Sequence, residues 1–202
     1  MSGLFIIISG PSGSGKGTVV KRLDTSRGYA LSISVTTRKP RAEEVHGRDY
    51  FFTTEEEFIR MRSQNELLEH IQYVGNFYGT PRKYVEEQIK LDKIVVLEID
   101  VQGALQIKEK FTDAILIFLM PPNIKELERR LVNRNTEDAV TIEARLKRSL
   151  EEVPLIRKYD YLVINDEVDL AVEKINAIVT AEKLKPKLNL YAIDEYMIKK
   201  GD

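Results

Sequence analysis

The apolar positions of this 202-residue chain gather into a few short, dense runs separated by stretches with helical spacing. Residues 4–8 are continuously apolar and rich in β-branched side chains, which predicts a strand buried on both faces. Residues 94–100, 114–120 and 161–164 read the same way. Helices are predicted between them, over 15–23, about 81–91, 102–111, 123–133, 140 to about 157 with a kink or end near Pro154, and 168–184. Buried strands joined through helices imply a parallel sheet covered on both sides. The rhythm breaks between about 30 and 80. There Leu31, Ile33 and Val35 alternate with Ser32 and Ser34, predicting one half-exposed strand over 30–35, and a polar loop follows over 36–48. A short aromatic strand at 50–52 leads to Thr53 or Thr54, either of which caps a helix opening on Glu55, Glu56 and Glu57. A strand over 67–74 turns at Gly75-Asn76 back toward Phe77 and Tyr78. Such short, half-exposed strands predict a small antiparallel insertion in the α/β frame.

Bulk properties narrow the function classes. With 43% hydrophobic and 31% charged residues the chain can form one globular unit with inserted subdomains. Its formal net charge of −1, from 31 basic and 32 acidic residues, argues against a dedicated nucleic-acid binder. Cysteine is absent, which excludes disulfides and thiolate metal sites, and His46 and His70 are too few for a histidine-built metal site. The apolar runs are too short to span a bilayer, and no basic region precedes the first of them, so no membrane partner is expected and a cytoplasmic location is.

The first strand runs directly into GPSGSGKGT, residues 10–18. An apolar strand, a glycine-rich turn and a lysine opening a helix make the phosphate cradle of nucleoside-triphosphate proteins. Glycines let successive N–H groups point at an anion, the helix dipole adds to that field, and Lys16 supplies a mobile cation. Gly17 departs from the strict pattern, which wants Ser or Thr after the lysine, and Thr18 carries a hydroxyl one place later. A second group of anion-binding residues follows. Arg38 and Arg41 lie three apart in a loop, two guanidinium forks suited to a phosphate dianion, with Tyr50 and Tyr78 as further donors. Surface arginines are the other reading of that pair. Glu69 sits in a largely apolar strand; it is either a half-exposed charge or an acceptor for the paired N1–H and amine of guanine, donors that adenine lacks.

Taken in order, GPSGSGKGT, SVTTRKPRAEEVHGRDYFF, LLEH, GNFYGT, LEIDVQGA, RRLVNRNTED and YLVIND resemble the guanylate kinase family over about residues 3–185. The resemblance implies ATP-dependent phosphorylation of GMP to GDP, with Mg2+ as cofactor, ATP and GMP as partners, and a place in purine nucleotide metabolism. It implies a single domain over 1–202 of the P-loop three-layer α/β/α class. That domain has a parallel core (1–32, 84–122 and 154–202), a small mixed or antiparallel GMP-binding insertion at about 33–83, and a helical lid at about 123–153. By the same resemblance the loop residues Gly10, Pro11, Ser12, Gly13, Ser14, Gly15, Lys16, Gly17 and Thr18 bind ATP, and Asn165 makes a contact near the adenine. Arg38, Arg41, Tyr50 and Tyr78 hold the GMP phosphate, while Ser34, Glu69 and Thr80 contact the guanine. Asp100 orients the acceptor or the magnesium shell, with Mg2+ reached from Thr18 and Asp100 through water. Lys16, Arg134, Arg145 and Asp100 form the catalytic set, the two arginines closing on the ATP phosphates. Besides Gly17, one further departure stands out: Glu98 occupies a position where the family often has Asp, a change expected to matter little while Asp100 is retained. Two alternatives remain open, a kinase for another nucleoside monophosphate and a non-catalytic peptide-binding module of the same fold.

Overall fold

The computed structural model describes residues 3–23, 27–73, 75–132 and 139–190. Five strands form the core sheet: β1 (Leu4–Ser9), β2 (Tyr29–Leu31), β7 (Ile94–Glu98), β8 (Ile115–Met120) and β9 (Tyr161–Ile164). Their spatial order is β2-β7-β1-β8-β9, and every neighbouring pair is parallel. The alternation of side chains along β1 feeds two cores. Leu4, Ile6 and Ile8 pack with Val19 and Val20 of α1 (Lys16–Lys21) and with Ala171, Ile175 and Val179 of α7 (Val168–Lys183). Phe5 and Ile7 face the other way, onto Val85 of α3 (Arg82–Lys90) and Ala104 and Ile107 of α4 (Val101–Lys110). Both faces are therefore covered, which is why the strand is apolar without interruption. A fully buried isoleucine such as Ile7 contributes roughly 2–3 kcal/mol over an exposed one.

A second sheet has the order β4-β3-β6-β5, built from β3 (Val35–Thr36), β4 (Phe51–Phe52), β5 (Leu67–Tyr73) and β6 (Asn76–Pro81). It is mixed, not purely antiparallel: β3 pairs with β4 in parallel, and β6 is antiparallel to both β3 and β5. Its small core is Val35, Phe58 and Leu67, with Phe77 stacked on Phe58 at 5.3 Å. Phe58 comes from α2 (Glu55–Ser63), whose first turn is capped by the Thr54 hydroxyl accepting from the Glu57 N–H at 3.2 Å.

The strand expected over 30–35 is two strands in different sheets. The Ser32 N–H still donates to Val96 O of the core sheet at 2.9 Å, but by residue 34 the carbonyl accepts from Phe51 N, in the second sheet. Residues 32–34 carry the chain across the gap, and an alternating pattern continues through them because it records facing, not pairing partner. The predicted end of the long helix near Pro154 also appears, as α6 (Ala139–Glu152) gives way to a 3-10 turn at Val153–Lys158. No helix among the described residues is long and apolar enough to cross a membrane.

Candidate functional site

Loops at the carboxyl ends of the parallel strands are where open α/β sheets bind ligands. Here β1 ends in the glycine loop and β7 in Glu98, Ile99 and Asp100, and both line a cleft of about 200 Å3 that is partly open to solvent. Gly10 has φ 147°, and a side chain there would collide with the Leu119 carbonyl, so only glycine lets the loop leave β1 against β8. Lys16 opens α1 and curls back over the loop, its Nζ donating to Gly10 O at 2.7 Å and Pro11 O at 3.1 Å. Gly10, Ser12 and Lys16 are the loop residues that line the cleft; Thr18 is exposed one turn into α1 and is not among them.

The second sheet supplies the opposite wall. Ser34, Arg38, Arg41, Tyr50 and Tyr78 all line the cleft. Arg38 is held by a bidentate pair to Glu44, 2.8 and 2.9 Å, and lies 5.5 Å from the Tyr50 ring centroid. Glu44 also accepts from the Arg41 backbone N–H at 2.8 Å, so one carboxylate sets the geometry of both arginines. Burial, with help from Glu98 and Tyr78, pushes the Tyr50 phenol up to about 12, which keeps it a hydrogen-bond donor at neutral pH.

Glu69 lies at the floor, only 3% exposed, and accepts from the Thr80 hydroxyl at 2.7 Å. Burial, opposed by Thr80 and reinforced by the charge of Asp100, pushes its carboxyl up to about 7. A side chain at Gly103 would lie 2.9 Å from Glu69 Oε2, so a glycine in the first turn of α4 is what lets that helix close over the acid. Thr80 is fully buried behind Glu69 and does not itself line the cleft. Asp100 does line it while capping α4, its Oδ1 accepting from Gly103 N at 2.8 Å.

The roof is α6. Arg145 and Arg148 line the cleft with Ser149 and Glu152, and Arg145 donates to the Ser12 hydroxyl of the glycine loop at 3.3 Å. The other arginine of the sequence set, Arg134, lies outside the described residues. Asn165, which the resemblance puts near the adenine, is 1% exposed beneath the loop and is not among the residues lining this cleft. Its Nδ2 donates to Ser14 O at 2.8 Å. Arg130 of α5 (Ile124–Val132) adds a second brace, with one guanidinium N–H on Asn165 O at 3.0 Å and another toward Ser14 O at 3.5 Å. Asn165→Ala is expected to cost about 1–3 kcal/mol because it orphans a buried carbonyl. The denaturant midpoint at unchanged slope measures this; an unshifted midpoint removes the brace.

Several cleft residues were not named from the sequence: Ile71, Tyr73, Arg148 and Glu152. Glu98 lines the cleft too; the sequence marked it only as a departure from the family pattern. A side chain at Gly17, the other departure, would meet Glu98 Oε1 and Oε2 at 3.4 Å each. The two departures are thus neighbours, and the longer acid reaches the space that a side chain at position 17 would occupy.

The arrangement is a triphosphate-type loop facing a basic, aromatic pocket with a buried acid, under a helix bearing arginines. A family model described as guanylate kinase matches residues 2–182. A guanylate kinase of Halalkalibacterium halodurans is 52% identical over 186 residues, 91% of this chain and 90% of that protein. One from Bacillus subtilis is 52% identical over 187 residues, covering 91% of each. The crystal structure of guanylate kinase from Anaplasma phagocytophilum superposes with a TM-score of 0.75 at 34% identity, covering 91% of this chain and 87% of that one. With the sequence match spanning nine-tenths of both partners and the same fold behind it, the chain belongs to the guanylate kinase family.

Proposed function

We infer that this chain transfers the γ-phosphoryl group of ATP to GMP, giving ADP and GDP. The observation that carries this reading is a single cleft lined on one wall by Lys16 of the glycine loop and on the other by Glu69 with Arg38, Arg41, Tyr50 and Tyr78. Loop N–H groups and Lys16 hold the β- and γ-phosphates. Arg38, Arg41 and the phenols of Tyr50 and Tyr78 hold the GMP phosphate, and Glu69, backed by Thr80, accepts from the two adjacent guanine donors. Ser34 contacts the base from the crossing between the sheets. An oxygen of the GMP phosphate attacks the γ-phosphorus in line, and the bond from that phosphorus to the β–γ bridging oxygen breaks. The attacking phosphate is already largely ionised at neutral pH, so no general base is needed and the protein contributes position and charge. Arg145, and Arg134 with it, stabilises the charge spread over the transferred group. On this reading residues 33–83 form the GMP-binding insertion and 123–153 the lid, and closure keeps water from the γ-phosphate.

Mg2+ is the cofactor of this proposal. Among the described residues no group of three or more His, Cys, Asp or Glu side chains could hold a metal ion by itself, so the nucleotide's phosphate oxygens would have to complete its ligand set. Asp100 and Glu98 fit it: both carboxylates line the cleft, and Glu98 fills the space beside Gly17. Thr18, exposed and outside the cleft lining, would reach the ion only through water. The ion, when bound, draws charge from the phosphate oxygens. Such an enzyme works in the cytoplasm, where its soluble substrates are, and serves purine nucleotide turnover and the recycling of GMP.

A coupled assay with ATP across GMP, AMP, UMP and dTMP tests the proposal. ADP is expected to form at least about 10³ times more efficiently with GMP than with AMP, since adenine leaves Glu69 unmatched. Comparable turnover of AMP would overturn the assignment.

A further inference from the structure

Tyr73 ends β5, half-buried, on the edge of the cleft where the second sheet meets α6. Two guanidinium groups from α6 lie against its ring: Arg148 Cζ is 4.4 Å from the centroid and Arg145 Cζ is 5.9 Å. Two cations this close repel each other, and the negative face of one shared ring offsets that repulsion. Each arginine is also tied elsewhere. Arg145 reaches the glycine loop at Ser12, and Arg148 donates to Glu152 Oε1 at 3.0 Å. On its other side Tyr73 meets Tyr78 edge-on, centroids 6.5 Å apart, and Tyr78 meets Tyr50 at 6.2 Å. A continuous line of contacts thus runs from the glycine loop through Arg145 and Tyr73 to the phenols of the facing pocket.

We propose that Tyr73 is a positioning residue for phosphoryl transfer, an aromatic platform that sets Arg145 across the cleft against the glycine loop and ties its placement to the facing anion pocket. This rests on the function inferred above and adds to it. The phenol hydroxyl has no part in this, since the ring face does the work. The effect belongs to kcat, because Arg145 meets charge that develops in the transition state, and hardly to ATP binding.

The test is kinetic. Tyr73→Leu is expected to lower kcat about 5- to 30-fold, the range of a partly desolvated cation–π contact, with KM for ATP within about twofold. Tyr73→Phe keeps the ring and should stay within about twofold of the unaltered chain. In an Arg145→Ala background, Tyr73→Leu should cost less than about twofold more, because its route is gone. Should the leucine variant melt below assay temperature, Tyr73→Met carries the same expectation. A raised KM for GMP with kcat intact, a phenylalanine as poor as leucine, or costs that multiply would each overturn the proposal. Phenylglyoxal labelling read by mass spectrometry gives a measure without turnover: Arg145 and Arg148 should react faster in Tyr73→Leu. That difference in a chain unable to phosphorylate GMP would reject the function and keep the platform; equal labelling would reject the platform whatever the activity.

Discussion

Replacing Lys16 with methionine lowers turnover by about 10³-fold while the folded state survives. The methionine keeps most of the stem and its packing, so the change isolates the cation. Lys16 Nζ rests on two carbonyls of its own loop, Gly10 O at 2.7 Å and Pro11 O at 3.1 Å. Gly10 and Pro11 are both buried, so each carbonyl left without its bond costs about 1–3 kcal/mol, several degrees in melting temperature for a chain this size. The kinetic loss is larger. A single neutral donor aimed at developing charge is typically worth about 10²–10³ in rate, and a full positive charge in a cleft that closes lies at the upper end. Steady-state kcat beside a thermal melt separates the two effects. A variant within about tenfold of normal turnover would take Lys16 out of the chemistry, whatever its melting temperature.

The centre of the frame was legible because β1, β7 and β8 are buried on both faces: Ile6, Ile7 and Ile8 are fully buried, and the run that contains them leads straight into the glycine loop. Residues 161–164 were expected to be buried likewise, but β9 lies at the sheet edge with Leu162 exposed, so its apolar run marks a strand and not its burial. Strand order was not legible, since nothing in residues 29–31 says that they pair with β7 at an edge. The crossing at 32–34 was hidden for a related reason, as alternation persists while the partner changes. In the site, spacing singled out Lys16 and offered Arg38, Arg41, Tyr50 and Tyr78 as one anion group, while the family resemblance supplied Asp100, Arg145 and the role of Glu69; all eight line one cleft. Neither route found residues whose role is a distance across the chain. Nothing in the sequence pairs Tyr73 with Arg148, whose guanidinium carbon the fold places 4.4 Å from the ring centroid, or Asn165 with the Ser14 carbonyl that its amide holds. Gly17 and Glu98, two departures read separately, became one feature only once the carboxylate was seen beside the glycine.

Glu69→Gln is expected to raise the dissociation constant for GMP by about 10²–10³ and to leave that for ATP within about twofold. The amide keeps the Thr80 bond through its oxygen, but it offers guanine one acceptor where the carboxylate offers two, and it sets an N–H2 against a donor. The acid also makes GMP binding depend on pH. Its carboxyl is raised from 4.5 in the unfolded chain to about 7 in the folded one, first by burial. Between those values the folded chain holds a proton that the unfolded chain has released, so this group's contribution to stability is full below about 4.5 and is lost as pH rises through about 7. Guanine needs the ionised form, so binding expels that proton. Affinity for GMP should therefore climb up to about tenfold per pH unit below about 7 on account of this acid and level off above it, and the glutamine variant should keep only the smaller slope and proton release of the GMP phosphate, whose second pKa is about 6. Titration calorimetry at pH 6.5, in two buffers of different ionisation enthalpy, reads the release directly. A release no greater than the glutamine variant's, with the unaltered acid in place, would mean that guanine meets Glu69 already ionised or does not meet it at all. The glutamine variant tells these apart, because GMP affinity falls in the first case and holds in the second.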